Sequence, residues 1–201
     1  MVHLLDSIEN YAKINKIPIM LPDGIEFLEQ YIKENNLKKI LEIGTAIGYS
    51  AIRMCVNSDV KVTTIERDSI RYEEALKNIK KATLENQITV INEDALDVEL
   101  KDKYDLIFID AAKSQYIKFF EKFKNNLNNN GTIISDNLNF HGLTHQKERI
   151  QNKNVRQLVS KINKYIDFLK ENKEFKTTFY DIGDGIGVTR RDKDGQNKIF
   201  D

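Results

Sequence analysis

Tryptophan is absent from these 201 residues, cysteine occurs once, proline twice and glycine nine times, and the charges cancel to a formal net of +0. The single cysteine, Cys55, excludes an intrachain disulfide and a cysteine zinc cluster. In SAIRMCV it reads as a small core residue on a helix, not a nucleophile. So few prolines and glycines leave no room for a long flexible linker or a low-complexity tail. No stretch approaches the roughly 18 apolar residues of a membrane span. The N-terminus, MVHLLDSIENYAK, has an acid by position 6 and lacks the basic-then-apolar order of a signal peptide, so a cytoplasmic location with no membrane partner is expected. Zero net charge excludes a surface coated uniformly for nucleic acid but not a local basic face. Between 141 and 170, Lys147, Arg149, Lys153, Arg156, Lys161, Lys164 and Lys170 stand against only Glu148 and Asp167. Taken alone, that pattern reads as a solvated helix face.

What is present, 40% hydrophobic and 31% charged residues, has globular proportions and suits one domain over 1–201. The first 35 or so residues read as a helical cap. In LPDGIEFLEQYIKENN, Asp23 is a candidate cap and Ile25, Phe27, Leu28, Tyr31 and Ile32 recur at helical spacing. The chain then alternates. KILEIG (39–44), VTTIER (62–67), ITVINED (88–94), YDLIFID (104–110) and GTIISD (131–136) read as strands. Helices fall between them, one being SIRYEEALKNIKKATL with Ile70, Ala75, Leu76 and Ile79 inward. NNNG reads as a turn, VRQLVSKINKYIDFLKEN as a long helix, and FKTTFYDI (175–182), GDG and IGVTRR (186–191) as a closing hairpin. The expectation is an α/β, Rossmann-like fold: a seven-stranded, mostly parallel sheet with an antiparallel C-terminal hairpin strand and helices on both faces.

Such sheets bind ligands beyond the carboxyl ends of their strands. The first strand ends in LEIGTAIGYSA, where Gly44 and Gly48, with Thr45 and Ala46 between, allow a tight turn into a helix whose N-terminus presents free N–H groups. The second ends in Glu66, 24 residues after Glu42, where an acid can accept both ribose hydroxyls. The third ends in Asp94-Ala95, an acid and a small residue suited to an adenine. Three acidic strand ends would repel a pyrophosphate. They suit S-adenosylmethionine, whose sulfonium and ammonium are cationic, with Glu42 near its amino acid end.

EIGTAIGYSA, the ribose glutamate, FIDAAKSQY, ISDNL and GDGIGV together resemble the metal-dependent class I O-methyltransferases, the group of the catechol and caffeoyl-CoA enzymes. The similarity covers about residues 10–191. The DAAK-x-QY form most resembles the bacterial branch described as tRNA 5-hydroxyuridine methyltransferases, from which Ser114 departs where glycine is expected. The resemblance implies a cofactor site drawing on Met20, Glu42, Gly44, Thr45 and Gly48. It continues through Ser50, Glu66, Asp94, Ala95 and Asp110.

Asp110 ends the fourth strand, and Asp136 and Asn137 end the fifth, expected to be its neighbour. These are three hard oxygen donors, two of them anionic, which suit Mg²⁺ or Mn²⁺. Asp-Asn after a strand is also ordinary turn and cap chemistry. Lys113 is by resemblance the catalytic lysine, acting beside Asp110 to accept or assist removal of the hydroxyl proton. A 5-hydroxyuridine presents its hydroxyl beside the 4-carbonyl oxygen, so it chelates much as a catechol does. A tRNA anticodon stem-loop is therefore the first expectation for the acceptor and a small catechol or phenol the second, with few aromatics beyond Phe140 and Tyr180 to gate the latter. An S-adenosylmethionine-binding interaction protein is a third, non-catalytic reading. Lys13 and Lys16, with Arg190 and Arg191 on the last strand, are candidates to frame the pocket mouth. A homodimer is implied by the resemblance alone.

Overall fold

The computed structural model describes residues 1–140, 142–145 and 151–192. Its strands are β1 (Lys39–Ile43), β2 (Lys61–Ile65), β3 (Ile88–Ile91), β4 (Tyr104–Ile109), β5 (Leu127–Ser135), β6 (Phe175–Tyr180) and β7 (Ile186–Arg191). They form one sheet in the order β3-β2-β1-β4-β5-β7-β6. All pairings among β1 to β5 are parallel, and β7 runs antiparallel to both β5 and β6. Strand order reverses between β1 and β4, so a crevice opens there at the carboxyl edge. This is the expected Rossmann-like sheet. Among the described residues no helix is long and apolar enough to cross a membrane.

Helices α1 (Val2–Asn15), α2 (Pro22–Glu34), α3 (Tyr49–Cys55) and α4 (Ser69–Lys81) cover one face. Helices α5 (Tyr116–Phe123) and α6 (Lys153–Glu171) cover the other. Successive strand residues point to opposite faces, so Leu106 and Phe108 of β4 join the first layer while Ile107 and Ile109 join the second. All four are fully buried, and burying each such side chain stabilises by about 1.5–3 kcal/mol. This two-sided burial is why β4 reads as an unbroken apolar run. Cys55 is buried in α3, as expected of a core residue.

The register decides where the chemistry goes. Ile43 aligns with Ile65 and Ile109, Ile65 with Ile91, and Ile109 with Ser135, so the strands finish at one level. The ladder then runs one step further. The Gly44 amide donates to the Ile65 carbonyl, Glu66 to Ile91, Asp110 to Ile43 and Asp136 to Ile109, at 3.0–3.2 Å. Each of these residues is therefore fixed by the main chain on the same edge.

Four local expectations are corrected. Asp23 does not cap α2. Pro22 occupies the first helical turn behind Leu21, and Asp23 lies in that turn, where its charge still complements the helix dipole. Side-chain caps do occur at Asp68 for α4 and Asn152 for α6. Ile70 is 82% exposed and Leu76 sits at the rim. At 100° per residue, Ile70 lies roughly 140° around the helix from the buried Ala75. NNNG is no free turn. Leu127 already pairs with Tyr104, and the register then shifts to Leu106–Thr132, so residues 128–131 bulge inside β5. Finally, Arg190 and Arg191 cannot frame the mouth. Because β7 is antiparallel, Arg190 pairs with Thr132 at the edge away from Ser135, bonding Tyr31 and Asn35, while Arg191 pairs with Glu174.

Candidate active site

A cavity of about 550 Å³ occupies the crevice at the carboxyl edge. Met20, Gly44, Thr45, Ser50, Glu66, Asp94, Ala95, Asp110, Lys113 and Asn137 all line it, so one space gathers most of the residues expected at the site. Glu42, Gly48 and Asp136 stand behind its surface.

The β1–α3 turn is built from left-handed backbone: Gly44 has φ 103°, Ala46 47° and Gly48 83°. A Cβ on Gly44 would lie 2.3 Å from the Asp110 carbonyl oxygen, so β1 and β4 approach closely only because no side chain intervenes. The Ala46 amide donates to Glu66 Oε2 and the Asp68 amide to Glu66 Oε1, both at 2.9 Å. Two main-chain donors thus aim the Glu66 carboxylate at the cavity with lone pairs left over. Beyond it, Asp94 accepts the Leu96 amide at 2.9 Å, and Ala95, Leu96 and Phe119 form an apolar wall.

Glu42 is fully buried and does not line the cavity. It accepts hydrogen bonds from the Ser50 and Thr64 hydroxyls, each at 2.5 Å; Ser50 lines the cavity, and Thr64 shares a 2.5 Å hydrogen bond with Thr45, which lines it too. Burial pushes its pKa up to about 7, against those two hydrogen bonds and with help from Asp110 and Glu66. The unfolded carboxyl holds its proton only up to its ordinary 4.5, so folding takes up a proton between these values. The stability from this group is full below about 4.5 and lost as pH rises through 7. Urea unfolding at pH 5 and pH 8 should show wild type losing on the order of 2 kcal/mol more than Glu42→Gln. An equal loss in both proteins would contradict the assignment.

At the other end lie Asp110, Lys113, Asp136 and Asn137. The Lys113 ammonium donates to Asn137 Oδ1 at 2.5 Å, and Asn137 Nδ2 donates to Asp136 Oδ2 at 3.2 Å. Asn137 has φ 60°, a strained left-handed angle that turns its amide back toward the aspartates. Asp136 is 1% exposed, and its Oδ1 has no hydrogen-bond partner among the described residues. Burial and mutual repulsion push Asp136 up to about 8, and burial raises Asp110 as well, opposed by Lys113. A buried carboxylate oxygen without a donor is costly. A cation bound there would relieve it. Among the described residues no three Asp, Glu, His or Cys side chains gather to hold a metal; the fitting set is two carboxylates and one amide.

Several lining residues escaped the sequence reading. Tyr49 forms part of the wall, and its hydroxyl donates to Glu9 of α1 at 2.6 Å while accepting from Arg53 at 2.8 Å. Phe119, Arg71, Gln115 and Asp184 also line the cavity. Only Phe119, in the helical FF of α5, carried a sequence signal, and it pointed to core. Of the aromatics proposed as a gate, Phe140 lines the cavity, whereas Tyr180 packs 5.0 Å from Phe27 away from it. Lys13 and Lys16 are exposed and do not line it. Lys147, Arg149 and His141 lie outside the described residues.

Comparison with known proteins gives this geometry its context. The chain is 27% identical over 196 residues to a caffeoyl-CoA O-methyltransferase of Populus kitakamiensis, with 91% of this chain and 82% of the relative covered. It is 29% identical over 193 residues to tapetum-specific methyltransferase 1 of Arabidopsis thaliana, covering 92% and 82%. Among solved structures, a provisionally assigned caffeoyl-CoA O-methyltransferase from Staphylococcus aureus superimposes with a TM-score of 0.89 at 37% identity, covering 94% of this chain and 92% of that one. A Bacillus cereus O-methyltransferase in complex with S-adenosylhomocysteine shares the fold, with a TM-score of 0.80 at 23% identity over 94% and 91%. The family model described as O-methyltransferase matches residues 4–192, which takes in every strand and every cavity residue named above, so the chain belongs to the O-methyltransferase family.

Proposed function

We propose that the chain transfers a methyl group from S-adenosylmethionine to a hydroxyl that has a second oxygen beside it, assisted by Mg²⁺ or Mn²⁺ held by Asp110, Asp136 and Asn137. The orphaned Oδ1 of Asp136 beside two further oxygen donors is the observation that carries the reading. When bound, the metal supplies Lewis-acid polarisation that lowers the acceptor hydroxyl's pKa. The methyl donor supplies an electrophilic carbon on a sulfonium, and S-adenosylhomocysteine leaves.

The residues of the chain do the rest. Glu66, pinned by two amides, accepts the ribose hydroxyls, and Ala95, Leu96 and Phe119 supply an apolar slot for the adenine. Ser50, backed by Glu42, and the Gly44–Thr45 backbone orient the amino acid end. Met20, on the connection between α1 and α2, closes that side and excludes water. Lys113, held beside Asn137, would take the proton leaving the acceptor hydroxyl once its own ammonium has released one to solvent, or as the ammonium would offset the charge left on the acceptor oxygen while solvent takes the proton. Catalysis then rests on alignment and charge stabilisation.

For the acceptor, the first reading is 5-hydroxyuridine at the wobble position of a tRNA. It is supported by α6, which begins on the cavity side of the sheet and exposes Lys153, Arg156, Lys161, Lys164 and Lys170 against Asp167 and Glu171. A homodimer would offer two such faces to one RNA. The second reading, a catechol or related phenol, is favoured by the small-molecule names that the relatives carry. Labelled S-adenosylmethionine with Mg²⁺, offered tRNA from a strain lacking this protein beside a simple catechol, separates them. Label recovered as 5-methoxyuridine and abolished by EDTA is the expected result; label on the catechol alone would sink the RNA reading and keep the fold and site.

A further inference from the structure

Glu42 is fully buried in β1, and a row of three hydroxyls runs through it to the cavity wall. Ser50 donates to Oε1 and Thr64 to Oε2, each at 2.5 Å, and Thr64 Oγ1 lies 2.5 Å from Thr45 Oγ1. Thr64 is fully buried, whereas Ser50 and Thr45 line the cavity. Each hydroxyl has one hydrogen, and an ionised carboxylate only accepts. Counting hydrogens then fixes their directions. With Glu42 ionised, Ser50 and Thr64 both spend their hydrogens on it, and Thr45 must spend its own on Thr64. The row has no hydrogen left to offer a ligand.

A proton on Glu42 reverses one branch, because the acid donates from one oxygen and accepts at the other. If it donates to Ser50, the Ser50 hydrogen is released. If it donates to Thr64, Thr64 turns to Thr45, and the Thr45 hydrogen is released instead. Either way the wall changes from lone pairs alone to lone pairs and one donor.

That change matters to an anion. Among the described residues, the titratable groups that act on Glu42 or feel it are Asp110 after β4, Glu66 after β2 and the Cys55 thiol on α3, with no cation among them. The cations of the cavity are engaged or placed elsewhere: Lys113 on Asn137, Arg67 on Asp94, and Arg71 on α4. A carboxylate arriving beside Ser50 while Glu42 is ionised meets a second negative charge and no hydroxyl donor. With Glu42 protonated it meets a neutral group and a donor. Burial, which pushes this carboxyl up to about 7, puts the change within reach of neutral solution.

Resting on the S-adenosylmethionine reading above, we infer that Glu42 is a positioning residue whose proton sets the Ser50 and Thr45 hydroxyls to donate, so that the carboxylate of the methyl donor binds together with a proton drawn from solvent.

S-Adenosylhomocysteine carries the same amino acid end. Calorimetric titration at pH 8, in EDTA and in two buffers of different ionisation enthalpy, counts the protons taken up as it binds. Wild type should take up a large fraction of a proton, and its Kd should rise about tenfold between pH 6 and pH 8.5. Glu42→Gln donates from one atom and accepts at the other at every pH, as the protonated acid does. Its Kd should vary little with pH, lie below the wild-type value at pH 8.5, and come with no such uptake. 5′-Methylthioadenosine, which lacks the amino acid, should bind wild type without taking up a proton. Equal proton counts in wild type and Glu42→Gln, or uptake with 5′-methylthioadenosine, overturn the inference and leave the methyl-donor reading standing. A wild type that binds neither compound overturns both. If a thermal melt shows that Glu42→Gln does not fold, the wild-type counts decide: uptake with S-adenosylhomocysteine alone supports the inference, and any other pattern overturns it.

Discussion

Asp136→Ala should lower methyl transfer about a thousandfold, the equivalent of ~4 kcal/mol of transition-state stabilisation, while S-adenosylhomocysteine still binds. The split follows from position. Asp136 lies behind the metal end, touches Asn137 through its Oδ2, and is remote from the Glu66 and Asp94 end that holds the nucleoside. The same substitution removes a buried carboxylate whose second oxygen has no partner among the described residues, so the metal-free variant should be no less stable than wild type. A thermal melt without metal and a single-turnover assay with it measure the two effects on one preparation. Retained activity would place the metal elsewhere. A large drop in Tm would mean that the carboxylate has an unseen structural role.

Gly44→Ala should be the most damaging small substitution in the sheet. The added methyl would meet the Asp110 carbonyl oxygen at 2.3 Å and its carbon at 2.9 Å, both main-chain atoms that cannot step aside. Alanine at φ 103° is strained in addition. Overpacking and strain together cost about 3–5 kcal/mol. Relief can come only by parting β1 from β4, which pulls the Gly44–Thr45 turn away from Asp110 and weakens cofactor binding. Gly142→Ala is the matched control. It too has a left-handed φ, 77°, but among the described residues nothing lies within 4 Å of the new methyl. Urea unfolding of the two variants, with S-adenosylhomocysteine titrations, should show a large loss in the first and about 1 kcal/mol in the second. Equal losses would mean that the close approach of the strands is not what the glycine serves.

Much of this site was legible because its residues end strands. A run such as LIFI announces a two-sided core, and the first polar residue after it must emerge at the sheet edge. Asp110, Asp136 and Glu66 were found by that logic, and the aligned strand ends explain why it worked. Glu42 was misjudged because one step of register separates a residue that lines the cavity from one buried beneath it. Asp184 was passed over as a lining residue because GDG reads as a turn, and its place at the cavity depends on a distant segment packing against that turn. The NNNG bulge failed for the opposite reason: turn residues were kept in the ladder by the pairing of Leu127 with Tyr104. Ile70 was assigned inward on composition, although its helical phase faces water.

The hydrogen-bonded row of strand ends has a consequence for how such a protein can diverge. Gly44, Glu66, Asp110 and Asp136 are held at their level by amide-to-carbonyl bonds, which a side-chain exchange that puts no new atom between the strands leaves intact. The outer wall of the cavity is made differently, from the connection between α1 and α2 at residues 18–21 and from Phe140 after β5. Those segments can lengthen, shorten or change composition without disturbing a single sheet bond. Mutational drift therefore has unequal reach on the two sides of the cavity: the capacity to move a methyl group is inherited with the main chain, while the identity of the molecule that receives it can wander with the loops.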